Sequence, residues 1–188
     1  LAVRYLVGRP GGVVPPGLPV VQDQGLPIYR RDSAMPRAYF CPKVKLLKDS
    51  SKRLEILREP GFAKARVALV EVESSEFEGL ESGALGTVSL VADSPNFVTL
   101  RCHTPTTQLL VLADAWSPGW QVSVNGEPRP LYKVNQMFRG VVVAPGESEV
   151  RFTFRPPAWT ASLCIMALSL LVCLVLGLGG RKSAPREA

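Results

Sequence analysis

Apolar and polar residues alternate with a period of two through much of the chain, the pattern of half-buried β-strands. Val88, Leu90 and Ala92 alternate with Thr87, Ser89 and Val91, and Val98, Leu100 and Cys102 with Phe97, Thr99 and Arg101. Trp120, Val122 and Val124 alternate with Gln121, Ser123 and Asn125, and Val150, Phe152 and Phe154 with Arg151, Thr153 and Arg155. The alternation points the Cys102 thiol inward. The continuous apolar run Gln108–Ala113 predicts a central strand. Further strands are expected at Ala2–Val7, Leu26–Arg30, Ala38–Cys41, Lys43–Leu47, Ala65–Val72, Leu131–Val134 and Phe138–Val143.

Turn residues punctuate these runs. Asn125–Gly126 supplies the two positive-φ residues of a tight hairpin, and Pro118–Gly119 and Pro145–Gly146 mark two more turns. One short helix stands out: Asp49 or Ser50 can cap it, Lys52–Arg58 forms its body, and Pro60–Gly61 ends it. Leu54 and Leu57 give it a narrow apolar stripe, suited to the edge of a sheet. With no helical crossover between strands, pairing is expected to be antiparallel, closing into a mainly β fold: a β-sandwich of Ig-like size over residues 1–155. Residues 1–60 form its less regular part, with the helix at about 50–59, and 86–155 its core strands.

A different pattern begins at Pro156. No charged residue occurs from there to Gly180. A bilayer core about 30 Å thick needs about 20 apolar residues in a helix, and Ala158–Gly179 meets that length. A soluble helix so long normally carries a polar face; this one has only Thr160, Ser162 and Ser169. Trp159 stands where an interfacial aromatic anchor belongs, and Arg181 and Lys182 stop the segment. A transmembrane helix over 156–180 is expected, with residues 181–188 cytoplasmic and 1–155 extracytoplasmic. The chain begins at Leu1 rather than Met, as a fragment would.

Composition narrows the chemistry. Pro (17) and Gly (16) are spread between apolar runs and read as turns. The net charge of +6 comes from a surface of both signs, without the dense basic stripe and interleaved aromatics of a nucleic-acid footprint. The four cysteines show no metal-ligand spacing. Cys164 and Cys173 fall in the apolar tail as packing residues; Cys41 and Cys102 could pair in an oxidising space, with free thiols the favoured reading. His103, the single histidine, has no nucleophile motif beside it. Glu71, Glu73, Glu76, Glu78 and Glu81 lack the pattern of a calcium loop and read as a solvated loop over Glu71–Gly86. No catalytic residue, metal or cofactor is indicated.

The most informative stretch is Asp114–Trp120, DAWSPGW, two tryptophans and an acid around a Pro-Gly turn at the end of a buried strand. Such aromatics can stack on sugars, with Asp114 and Asn135 bonding hydroxyls. The alternative, favoured on composition, is a packed corner in which the Trp rings fill the end of the sandwich.

The segment DAWSPGWQVSVNGEPRPLYKVNQMFRGVVVAPGESEVRFTFRP resembles the C-terminal signature of bacterial YfhO-like membrane proteins. The matching positions are Asp114, Pro118, Gly119, Trp120, Val124, Gly126, Asn135, Arg139, Gly140, Val141, Pro145, Gly146 and Pro156. Upstream, Val3–Val7, Pro27–Arg31 and Met35–Phe40 fit as well. Asn125 replaces the usual Asp before Gly126, and Trp116–Ser117 stands where two aromatics often occur; neither breaks the turn. The resemblance implies a multi-span transferase that uses a polyprenyl-phosphate sugar to modify a surface glycopolymer. Its catalytic acids would lie in loops of an N-terminal region of upstream membrane helices absent here, so this part is expected to be inactive alone. It would position the acceptor, with Asp114, Trp116, Trp120, Asn135 and Arg139 as contacts, or brace the membrane part. The rivals are a purely structural cap and a stand-alone, membrane-anchored carbohydrate-binding module.

Overall fold

The computed structural model describes residues 3–9, 11–12, 17–22, 25–32, 34–59, 61–62, 66–80 and 83–179. Two β-sheets pack face to face. The first has five strands in the order β11-β10-β14-β8-β7: β11 (Glu127–Arg129), β10 (Trp120–Val124), β14 (Gly146–Phe154), β8 (Phe97–Thr104) and β7 (Thr87–Ser94). The second has six in the order β4-β9-β13-β12-β6-β5: β4 (Ala38–Cys41), β9 (Gln108–Leu112), β13 (Phe138–Val143), β12 (Tyr132–Val134), β6 (Val67–Val70) and β5 (Lys43–Leu46). A small sheet near the N-terminus pairs β1 (Tyr5–Val7), β3 (Ile28–Arg30) and β2 (Val20–Gln22), with β3 in the middle.

The period-two pattern becomes the core. Val98, Leu100 and Cys102 from β8, Val122 from β10, and Val150 and Phe152 from β14 face Phe40, Leu110, Leu112, Val141 and Val143 of the six-stranded sheet. Full burial of a side chain such as Phe152 or Leu110 stabilises by about 1.5–3 kcal/mol. β9 is buried along its whole length because its outer face is covered too. There Tyr39, Cys41, Leu109, Val111, Tyr132 and Val134 form a second cluster. Cys41 and Cys102 are free and belong to these two different layers, so the pairing considered from the sequence does not occur.

Three expectations need correction. First, pairing is not wholly antiparallel. β5 and β6 run parallel, joined by α1 (Ser50–Arg58), a crossover helix where the sequence predicts one packed on the edge of a sheet. Asp49 caps α1, accepting from the amides of Ser51 and Lys52. The one buried residue of α1 is Arg53 rather than Leu54 or Leu57. Its guanidinium donates to the Leu47 and Lys48 carbonyls, to Gln136 Oε1 and to Glu71, which satisfies the charge inside the fold. Second, Leu90 is exposed although it pairs with the buried Leu100, because β7 is an edge strand. The β7–β8 register slips between Leu90 and Ala92, and the extra residue moves Ala92 opposite Thr99, off the face shared by Val88 and Leu90. Third, the stretch after Glu71 is more than a solvated loop. It contains a 3-10 turn (Ser75–Phe77), and Phe77 stacks against Tyr132, whose hydroxyl meets Ser74 and Glu76. Glu81 and the start of the expected strand at Ala2 lie outside the described residues.

The turns match expectation. Asn125 and Gly126 have φ of 52° and 85°, as the β10–β11 hairpin requires. Gly119 has φ of 101°, and a Cβ there would lie 2.5 Å from the Arg155 carbonyl oxygen, so this corner admits only glycine.

Beyond β14 the chain passes through Arg155–Ala158 into α2 (Trp159–Gly179), 21 residues long. Side chains of α2 are described for Trp159 and for Ala161–Gly177, and all are exposed. Among the described residues no helix is long and apolar enough to cross a membrane. Arg181, Lys182 and the tail 181–188 lie outside the described residues.

Candidate functional site

The site is assembled at the end of the sandwich from which α2 leaves. At that end β7, β9 and β14 finish and β4, β8, β10 and β13 begin, as the pairs Trp120 with Phe154, Thr153 with Phe97, and Ala38 with Leu112 fix. Short loops leaving these strand ends therefore converge.

Arg37, one residue before β4, is the hub. Its Nε donates to Asp114 Oδ1 at 2.9 Å and its Nη2 to Asp114 Oδ2 at 2.8 Å. Its Nη1 donates to Asp93 Oδ2 at 2.6 Å, and Nη2 reaches Asp93 Oδ1 at 3.3 Å. Asp114 follows β9 and Asp93 lies in β7, so one guanidinium clasps both sheets with two forked contacts. The Asp114 and then the Asp93 hydrogen bonds hold Arg37 protonated far above its ordinary range. The same contact lowers the Asp93 carboxyl below its usual value.

Arg139, in β13, is the second cation, and it is 4% exposed. Its guanidinium carbon lies 3.6 Å from the centroid of the Trp120 ring, a stacked cation–π contact. Nε donates to the Ala115 carbonyl at 3.1 Å, and Nη2 lies 3.6 Å from Asp114 Oδ2. Nη1 is buried without a hydrogen-bond partner. Desolvation lowers the Arg139 pKa; the Asp114 charge opposes that effect. Trp120 also packs against Phe154, with ring centroids 5.3 Å apart. A hollow of about 340 Å³ opens between Arg37, Asp93, Pro95, Asp114, Trp120 and Arg139.

Of the five side chains singled out in the sequence as ligand contacts, three meet here: Asp114, Trp120 and Arg139. Trp116 lies beside the cluster, its amide donating to the Met137 carbonyl at 2.6 Å and its ring 5.7 Å from Lys133 Nζ. Asn135 is elsewhere, on the outer face of the six-stranded sheet. Its Oδ1 accepts from the Leu69 amide at 2.9 Å and its own amide donates to the Leu69 carbonyl, so it extends the β12–β6 pairing beyond Val134. Arg37 and Asp93 were missed as site residues. Arg37 sits in the Met35–Phe40 stretch, and Asp93 precedes the Ser94–Asn96 turn; acids and bases at strand ends are the signal that could have found them.

Residues 84–166 match the family model described as Bacterial membrane protein YfhO. A curated relative from Bacillus subtilis (strain 168), an uncharacterized protein YfhO, is 27% identical over 79 residues. That alignment covers 42% of this chain and 9% of the relative, so the chain spans only a small share of that relative's length. No solved structure matches.

Proposed function

From a chain whose C-terminal part belongs to the bacterial YfhO-like membrane protein family, we propose a specific placement. Residues 1–155 are its extracytoplasmic domain, α2 is its last membrane span, and 181–188 are cytoplasmic. The observation that carries this reading is the surface of α2. Leu163, Ile165, Met166, Leu168, Leu171 and Leu174 are all exposed, and together they point around the whole helix. Although among the described residues no helix is long and apolar enough to cross a membrane, the full 21 residues of α2 extend roughly 30 Å, the thickness of a hydrocarbon core. Trp159 at its first position is 59% exposed and sits at the level of an interface anchor.

The whole protein would then be a glycosyltransferase that takes sugar from a lipid-linked donor and modifies a cell-surface polymer. This part is non-catalytic. Within that role, bracing fits the site better than sugar stacking. One face of Trp120 is occupied by Arg139, and Phe154 crowds the ring as well. The Arg37 clasp joins both sheets at the end nearest the membrane helix, where a rigid platform would set the angle of α2. The test is replacement of Asp114 and Trp116 in the intact protein at equal expression. Bracing predicts that Asp114→Ala weakens the fold and transfer together, while Trp116→Ala leaves acceptor affinity unchanged. A selective loss of acceptor binding with an intact fold would favour the carbohydrate-binding alternative.

A further inference from the structure

A second hollow, on the opposite face of the six-stranded sheet from the Arg37 clasp, lies between α1 and that sheet. Its volume is about 350 Å³, more than twice the roughly 150 Å³ of an engineered apolar cavity that stays dry and binds benzene. Leu54 and Leu57 line it from α1, and Tyr39, Cys41 and Phe138 from the sheet. This agrees with the exposure of the apolar stripe of α1: Leu54 is 41% exposed over a space that the described residues do not fill. Burial pushes the Tyr39 hydroxyl and the Cys41 thiol each up to about 12.

Two features say what fills it. The first is charge. Arg66 lines the hollow, its guanidinium 5.6 Å from the centroid of the Tyr39 ring, and among the described residues it has no carboxylate partner. Its backbone is held at φ of 50°, which a long side chain rarely adopts. Among the described residues the one other charged side chain of the lining, Glu59, is exposed at the C-cap of α1 and remains hydrated. The second is position. Ala113 follows β9, Met137 and Phe138 open β13, and Met35 precedes β4, so this wall of the hollow belongs to the end of the domain where α2 departs. Met137, 51% exposed, is its outermost apolar group.

We propose that this cavity takes one hydrocarbon chain of an anionic membrane lipid, with the lipid's phosphate at Arg66. An apolar hollow with a cation in its lining, free of a carboxylate partner among the described residues, and with one wall at the membrane end of the domain is complementary to that amphiphile. The inference rests on the membrane placement of α2 proposed above, and the test separates the two.

The full-length protein is reconstituted in vesicles of phosphatidylethanolamine and phosphatidylglycerol doped with a phosphatidylglycerol bearing a diazirine in one acyl chain. After irradiation, labelled peptides are mapped by mass spectrometry. Label is expected in Leu54–Phe62 and around Met137 as well as in α2. Leu57→Trp fills the hollow and reduces cavity label to background with α2 label unchanged; Leu54→Trp serves as an independent second filling. Arg66→Gln lowers cavity label by roughly ten-fold or more, the worth of a charge-assisted hydrogen bond, while label from a neutral diazirine diacylglycerol is unaffected. Label confined to α2, or cavity label indifferent to both fillings, overturns the proposal and leaves the membrane span standing. Cavity label without α2 label upholds the lipid site and removes the span; absence of both removes both.

Discussion

Replacing Arg139 by Met should leave the fold about as stable as before, although the residue is almost fully buried. Methionine keeps the length and apolar stem of the side chain, so no large void opens beside Trp120. The losses are the hydrogen bond to the Ala115 carbonyl at 3.1 Å and the stacked cation on Trp120 at 3.6 Å. Together these are worth about 2–4 kcal/mol. The ion pair with Asp114, at 3.6 Å, is long, and Asp114 keeps its two bonds from Arg37. Against these stands relief from holding a guanidinium 4% exposed with Nη1 unbonded. That penalty is also several kcal/mol. The net effect should fall within about 1 kcal/mol of zero. Arg37→Met is the contrasting variant. Its side chain is 42% exposed, which screens its pairs, yet it removes both forked contacts at once and leaves Asp93 and Asp114 facing each other. A loss of about 1–2 kcal/mol is expected. Urea unfolding followed by near-ultraviolet dichroism of the tryptophans measures both. A loss above about 3 kcal/mol in Arg139→Met, or equal losses in the two variants, would refute the division of the cluster into a clasp and a poorly solvated cation.

Other consequences can be checked in the same preparation. Because the Arg37 contact depresses the folded Asp93 pKa, its contribution is present above the unfolded value of about 4 and lost as pH falls through the folded one. Asp93→Asn should therefore flatten the acid side of the stability profile. Gly119→Ala should cost about 1–3 kcal/mol in urea unfolding, since φ of 101° and the Arg155 carbonyl both oppose a Cβ. Asn135→Ala strands the buried Leu69 amide and should cost about 1–3 kcal/mol by the same measure. Cys41 and Cys102, with thiols pushed up to about 12, should resist iodoacetamide at pH 8 and react on unfolding.

The sandwich was legible where burial is one-sided. β8, β10 and β14 announce themselves because alternate residues meet the facing sheet, and β9 because both its faces are covered. The parallel β5–β6 pair was not legible. α1 is short and carries its buried contact on a charged residue, Arg53, so its sequence reads as a surface helix rather than a crossover. β11 hid behind Pro128, acceptable only because β11 is an edge strand. The corner Asp114–Trp120 was readable as important, and Asp114, Trp120 and Arg139 do converge. Arg37 and Asp93, separated from Asp114 by 77 and 21 positions, complete the cluster through tertiary pairing that no local pattern encodes. Asn135 was drawn into the same set by proximity in sequence. Its positive φ of 48° turns it to the opposite face, where it serves β6.

The placement of α2 in the bilayer can be tested with the chain's own cysteines. Cys164 and Cys173 are exposed on the helix, whereas Cys41 and Cys102 are buried in the sandwich. In cells carrying the intact protein, a charged, membrane-impermeant maleimide should leave all four unmodified, and Glu147→Cys should be labelled without permeabilisation. Dissolving the membrane in denaturant should then expose Cys164 and Cys173. Ready labelling of these two in intact membranes, or protection of the residue-147 thiol until the cells are opened, would contradict a lipid-spanning α2 beneath an outward-facing sandwich.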